Sequence, residues 1–285
     1  MKFSKYHALG NDYIVIDPKD LIAQLTPANV KAICDRHYGV GSDGILLGPE
    51  ESDDCDFALR IFNPDASEAE KSGNGLRIFS RYLWDQSLVA HDKFTIRTKG
   101  GVVSAVVGEK GHSVSVGMGL VRFTHEPGCV SGGEPAPVPE KLHIKGQEFT
   151  CYAVNVGNPH CVIITDHINA SYAKEFGSTI ENDARFPNQT NVQFVKIIDR
   201  ASIRIEIWER GAGYTLASGS SSTAAAAVAH SLGFCDSNID VYMPGGVINI
   251  DLDRIDRYGQ LYATMTGAVR KIFTGEIHKE VLVAD

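Results

Sequence analysis

The sequence predicts an α+β protein of two pseudo-symmetric domains, each a curled β-sheet around a central helix, with its candidate site in the cleft between them. Three observations carry this expectation. The first is an internal repeat. Residues 60–78 laid on 206–224, an offset of 146, set Ile61 on Ile207, Ala66 on Ala212, Ser72 on Ser218 and Gly73 on Gly219 without a gap. Gly10-Asn11 returns as Gly157-Asn158 at an offset of 147, and Gly119-Leu120-Val121-Arg122 as Gly267-Ala268-Val269-Arg270 at 148. A nearly constant offset at three separated places marks two copies of one unit. The second observation is the run 224–227, all alanine: a helix of tiny residues with no charged face belongs inside a wrapping sheet. The third is that each copy enters its helix through Ser-Gly. The repeat assigns 1–119 to one half, with 267–285 returning to it, and 120–266 to the other.

Taken in order, Leu9-Gly10-Asn11-Asp12 reads as a loop feeding a buried strand at 13–16. Residues 26–36 suit a helix, with Thr26 as cap and Pro27 at its first position. Gly39-Val40-Gly41-Ser42-Asp43-Gly44 is a turn before a strand at 45–47, and 57–62 alternates as a strand ended by Asn63-Pro64-Asp65. Leu76, Ile78, Phe79, Tyr82 and Leu83 give 76–84 a broad apolar helical face, with Arg77 and Arg81 as one polar edge. Residues 94–119 are strands broken by glycine turns, and 126–139, rich in Gly and Pro, reads as the surface connection between halves. In the second half, Ile207-Trp208-Glu209-Arg210 ends a strand, Gly211-Ala212-Gly213 turns, and 222–232 forms the central helix.

Composition narrows the function. An apolar content of 43% with 22% charged residues is that of a globular protein. The net charge of -8, with no basic cluster, argues against a nucleic-acid partner. No apolar run reaches membrane-span length and the N-terminus lacks signal-peptide form, so the expectation is a cytoplasmic protein with no membrane partner. The six cysteines form no Cys-x-x-Cys pair, and no nucleotide or metal fingerprint occurs. Neither cofactor nor metal is expected.

What remains is the pair of helix starts. Ser72-Gly73 and Ser218-Gly219 each offer unpaired backbone N–H groups and the positive end of a helix dipole, which suits an anion; a plain serine N-cap is the alternative. Two such ends on opposite walls of one cleft would hold a carboxylate and favour negative charge building beside it. With a proton-abstracting group on each wall, that is what a two-base racemase or epimerase requires. Ping-pong hydrolysis, or amino-acid binding without chemistry, fits a two-walled cleft as well.

The chain resembles the diaminopimelate epimerases over essentially its whole length. The residues that carry the resemblance are His7-Ala8-Leu9-Gly10-Asn11-Asp12, Asp35-Arg36-His37-Tyr38-Gly39, Arg60-Ile61-Phe62-Asn63, Gly73-Asn74-Gly75, Gly157-Asn158-Pro159-His160-Cys161, Thr190-Asn191, Glu209-Arg210-Gly211-Ala212-Gly213, Pro244-Gly245-Gly246 and Met265-Thr266-Gly267. The resemblance implies a cofactor-independent isomerase with its active site in the interdomain cleft, acting on a small amino-acid substrate as a homodimer. It implies that Asn63, Asn158, Asn191 and Arg210 hold the substrate's distal carboxylate and Glu209 its ammonium. Asn11 would then lie beside the reacting centre, and the backbone N–H groups of Gly73, Asn74, Gly219 and Ser220 would bind the proximal carboxylate.

The departure lies at the two reactive positions, cysteine in that family and here Ser72 and Ser218. A thiol at a helix N-terminus ionises near neutral pH; a hydroxyl needs a neighbouring base to take its proton. His160 and His7 are the candidate helpers. The sequence leaves three accounts open: serine working with a helper, a relative that binds an amino acid without chemistry, or deliberate replacement of both cysteines. Ser220-Ser221-Ser222-Thr223 around the second site favours a natural variant. Gly44, where the family often has glutamine, and Tyr214, where it has glutamate or an apolar residue, are softer differences.

Overall fold

The computed structural model describes residues 1–123, 136–256 and 260–282. Two compact units divide the chain, Met1–Val116 with Gly267–Asp285, and Gly117–Thr266; the first boundary falls at 116 where the repeat placed it at 119. Most of the expected connection at 126–139 lies outside the described residues.

The first unit begins with β1 (Lys2–Ala8) and β2 (Asn11–Ile16), followed by α1 (Pro27–Cys34), β3 (Ile45–Glu50), β4 (Phe57–Phe62), β5 (Glu68–Ala69), α2 (Gly73–Asp85), β6 (Phe94–Thr98) and β7 (Gly101–Val107). Thr26 caps α1 by accepting from the Asn29 N–H at 3.3 Å. The helix stops at Cys34, short of the expected 36, because Asp35 turns extended and spends its carboxylate on the His37 and Tyr38 N–H groups, both at 2.7 Å. Ile14, Ile16, Ile45, Leu47 and Phe62 from the sheet pack on Val30 and Ile33 of α1. Around α2, Leu76, Ile78, Phe79 and Leu83 are fully buried. Arg77 corrects the expected polar edge, being 0% exposed. Gly267 makes room for it, since a Cβ there would stand 3.0 Å from the guanidinium. Arg81 pairs with Asp85 at 2.8 Å one turn on.

β8 (Ser113–Leu120) and β9 (Arg122–Phe123) lead into the second unit, which continues with β10 (Pro139–Ile144), β11 (Gln147–Asn155), β12 (Pro159–Ile164), α3 (Ala170–Glu181), β13 (Asn191–Asp199), β14 (Ser202–Glu209), β15 (Gly213–Thr215), α4 (Gly219–Ser231), β16 (Asn238–Met243) and β17 (Gly246–Arg254). β18 (Leu261–Ala268) leads back, and β19 (Arg270–Glu276) pairs antiparallel with β1. Ala224, Ala225, Ala226, Ala227 and Ala229 are all 0% exposed. A helix this thin lets the sheet close on it from every side.

The repeat is legible in the pairing order. In the first unit β1–β2 are antiparallel, β2–β3 parallel, β3–β4 and β4–β5 antiparallel, β4–β6 parallel and β6–β7 antiparallel. In the second, β11–β12, β12–β13, β13–β14, β14–β15, β14–β16 and β16–β17 repeat that series of directions. α1 and α3 fill equivalent crossovers, as do α2 and α4. α3 is the element for which the sequence reading gave no helix. Its signal was Tyr172, Ala173, Phe176 and Ile180 at helical spacing, with Asn169 as cap accepting from Tyr172 at 2.9 Å. Gly177 weakens that signal, and its reason is tertiary: a Cβ there would stand 2.5 Å from the Trp208 ring.

Candidate active site

Ser72 and Ser218 cap α2 and α4 in the same way. Each is extended (φ -138°, ψ 115° and φ -147°, ψ 127°), and each Oγ accepts from the N–H three residues on, Gly75 at 3.0 Å and Ser221 at 3.4 Å. The N–H groups of Gly73, Asn74, Gly219 and Ser220 lie in those first turns and have no intrahelical acceptor. The serine N-cap that the sequence offered as the alternative is present at both helix starts, and each serine oxygen stands at the positive end of its own helix.

In the first unit a chain of polar side chains fixes the surroundings of Ser72. The buried Arg77 donates to Asn74 Oδ1 (2.7 Å), Asn74 Nδ2 to Asn11 Oδ1 (3.0 Å), and Asn11 Nδ2 to Asp43 Oδ2 (2.9 Å). Asp43 and Asp12 are held by Arg36 at 2.6 and 2.7 Å, and Asp12 by Lys5 at 2.8 Å. The Arg36 and Lys5 cations, outweighing the burial that works the other way, hold the Asp12 carboxyl below the usual range. Full burial draws the Arg77 guanidinium down to about 10, which leaves it charged at neutral pH. Both ends of the Asn11 amide are thus spoken for, and its orientation is set. Tyr13 Oη lies 3.3 Å from Ser72 Oγ. Asn63 ends β4 and donates from Nδ2 to Ser67 Oγ at 2.9 Å. His7, on β1, accepts at Nδ1 from Gly10 N–H at 3.3 Å.

In the second unit Glu209 ends β14 and Arg210 follows it. Burial raises the Glu209 carboxyl above its ordinary value, and the hydroxyls of Ser218 and Thr215 beside it pull it part of the way back. Arg210 is exposed; its N–H donates to Asn191 Oδ1 (3.1 Å) and its guanidinium to Asn188 O (3.2 Å). Asn191 Nδ2 donates to Pro159 O at 2.9 Å. Glu181, which sequence reading missed, anchors this turn by accepting from Trp208 Nε1 (2.7 Å) and from Gly211 N–H (2.8 Å). A carboxylate at the end of α3 carries no motif, so no sequence signal pointed to it.

His160 is buried and its Nε2 stands 2.8 Å from Asn158 Oδ1, so its ring serves Asn158. Burial drives its pKa down to about 3, with Arg210 adding a smaller push, and the ring stays neutral. Gln193 also faces it, and donates to Ser221 Oγ at 3.0 Å. Buried His160 Nδ1 and Gln193 Oε1 otherwise have no partner among the described residues. With the amide turned so that its NH2 faces Nδ1 and its oxygen takes the Ser221 hydroxyl, both are satisfied. His160 Nε2–H then donates to Asn158 Oδ1, leaving the Asn158 NH2 to point elsewhere. Gln193→Leu is expected to cost about 1–3 kcal/mol by leaving two buried polar groups unpaired, measured by urea unfolding; an unchanged midpoint would refute the network.

The described cysteines occupy neither helix start: Cys34 ends α1, Cys55 lies between β3 and β4, Cys151 and Cys161 lie on β11 and β12, and Cys235 follows α4. The group beside Ser218 is the Glu209 carboxylate on the neighbouring strand, the residue that the resemblance assigns to the substrate's ammonium.

Comparison with known proteins matches the diaminopimelate epimerase family profile to residues 3–124 and 152–272. The chain is 54% identical over 285 residues to diaminopimelate epimerase 2 of Nostoc sp. (strain PCC 7120), covering 100% of this chain and 98% of that protein. It is 35% identical over 288 residues to the diaminopimelate epimerase of Nostoc punctiforme, covering 97% and 99%. Among solved structures it resembles a probable proline racemase from Agrobacterium radiobacter K84, with a TM-score of 0.71 at 14% identity, covering 97% of this chain and 92% of that one. A phenazine biosynthesis protein of the PhzF family from Bacillus anthracis gives 0.69 at 15% identity, covering 98% and 99%. At those identities the likeness is one of fold.

Proposed function

The chain belongs to the diaminopimelate epimerase family of isomerases, and from that premise we propose that it inverts an amino-acid α-carbon without a cofactor, with LL- or meso-diaminopimelate as the default substrate. The observation that carries the reading is the matched pair of serine-capped helix starts, one with a carboxylate beside it and the other with a phenol. The reading requires both serines to serve one substrate. One takes the α-proton while the other returns a proton from the opposite side, and the backbone N–H groups at the helix starts stabilise the charge on the proximal carboxylate. Asn63, Asn158, Asn191 and Arg210 would grip the distal carboxylate, and the fixed amides of Asn158 and Asn191 support that assignment. Glu209 would meet the ammonium and relieve Ser218 of its proton.

The proposal includes a cytoplasmic homodimer. Among the described residues no helix is long and apolar enough to cross a membrane. β19 exposes Ile272 and Phe273 on a strand whose described pairing is with β1, a surface that suits a second copy.

Serine at both positions favours a second reading, an amino-acid-binding protein without chemistry. Proton NMR with LL-diaminopimelate in deuterated buffer separates them. Loss of the α-proton signal with the unsubstituted chain is the expected result. Exchange only with Ser72→Cys/Ser218→Cys would favour the binding protein, and silence from both would reject the substrate.

A further inference from the structure

Ser72 and Ser218 share their caps but differ in company. Ser218 has the Glu209 carboxylate; at Ser72 the group in reach is the phenol of Tyr13, with Oη 3.3 Å from Ser72 Oγ. Tyr13 is 6% exposed on β2, opposite Tyr6 of β1. Its ring occupies the space above Gly44, where a Cβ would lie 2.6 Å from Tyr13 Cε1 and 2.5 Å from Phe62 O. Any side chain at 44 would displace the ring, so the bare glycine and the placed phenol are one feature.

Resting on the function proposed above, we propose that Tyr13 is a further catalytic residue, the proton partner of Ser72. As base, the Tyr13 phenolate takes the proton of the Ser72 hydroxyl while Ser72 Oγ takes the α-proton, the C–H electron pair staying on the α-carbon. As acid, the Tyr13 hydroxyl reprotonates Ser72 as Ser72 gives its proton to the carbanion. Protons balance in both directions and no other reactant is needed. Gly75 N–H, on Ser72 Oγ at 3.0 Å, holds the oxygen in line and eases charge building on it. An aliphatic alcohol is a poor base alone, and a phenol, a far stronger acid, bridges much of the gap.

Tyr13→Phe removes one oxygen and keeps the ring over Gly44. Exchange of the α-proton is expected to fall about 10²-fold or more. Tyr13→Phe/Ser72→Cys is expected within a few-fold of Ser72→Cys alone, because a thiolate needs no phenol. Activity of Tyr13→Phe within threefold of the parent, or failure of the cysteine to rescue it, would overturn the proposal. A readout free of substrate completes the test. The tyrosinate absorbance that Tyr13→Phe removes should titrate higher in Ser72→Ala, since the serine hydroxyl no longer donates to the phenolate. An unmoved titration rejects the Tyr13–Ser72 pair, whereas silence of parent and Ser72→Cys/Ser218→Cys with a shifted titration rejects only the substrate reading.

Discussion

Glu209→Gln is expected to lower the rate of α-proton exchange by about 10²–10⁴-fold, the range for loss of a general base. The amide keeps the shape and can still meet a substrate group, but cannot accept the Ser218 proton. In a Ser218→Cys background the same change should cost far less, because a thiol at the start of α4 ionises on its own. If Glu209 only gripped the ammonium, both backgrounds would lose equally and the loss would appear in KM. Exchange measured in the four forms decides between the two. The direction of the Glu209 shift adds a pH signature. Burial raises its carboxyl, so the base form fills in, and activity climbs, as pH rises through a value above the usual glutamate range. Stability runs the other way. The fold prefers the neutral carboxyl, so this group favours folding below its unfolded-state pKa and loses that contribution as pH rises to the raised value. Glu209→Gln should therefore melt no lower than the parent at pH 7, and a lower Tm would contradict the burial argument.

How much of this was legible beforehand follows the range of the interactions. The repeat, the small-residue helix α4 and the two Ser-Gly starts are local patterns, and the strand pairing carries the same order twice. Local patterns failed where a distant residue decided. Arg77 reads as the polar edge of a helix by its charge, yet it is buried because Gly267, 190 positions on, leaves room and Asn74 takes a hydrogen bond. α3 was obscured by Gly177, a glycine present for Trp208 rather than for the helix. His160 looked like a base from its place beside Asn158, and that adjacency is what the structure uses, as an orienting hydrogen bond. Glu209 stands beside Ser218 across the β14–β15 hairpin and Tyr13 Oη near Ser72 Oγ, and neither neighbourhood leaves a spacing to read.

Gly39→Ala is expected to damage both stability and activity although residue 39 touches none of the serines. A Cβ at 39 would lie 2.0 Å from Ala32 O and 2.7 Å from Ile33 O. Those are backbone carbonyls at the end of α1, and unlike a side chain they cannot swing aside. The segment is also tied to that helix end by Gly39 N–H to Asp35 O at 3.0 Å, Val40 N–H to Ile33 O at 3.0 Å and Gly41 N–H to Ile33 O at 3.1 Å. Relief of the clash must break some of these bonds. A cost of about 3 kcal/mol, at the upper end for overpacking, follows, and a Tm lower by about 10 °C. The activity loss has its own route. Arg36 lies inside the displaced segment, and its grip on Asp43 and Asp12 fixes the Asn11 amide that bonds Asn74 in the first turn of α2. The Ser72 cluster should loosen before the fold melts, so α-proton exchange at a temperature where Gly39→Ala is fully folded should still fall, by about tenfold for one poorly held group. Parent-like exchange in the folded variant would mean that Asn11 keeps its orientation without Arg36, and that the chain of hydrogen bonds from Lys5 to Arg77 serves stability alone.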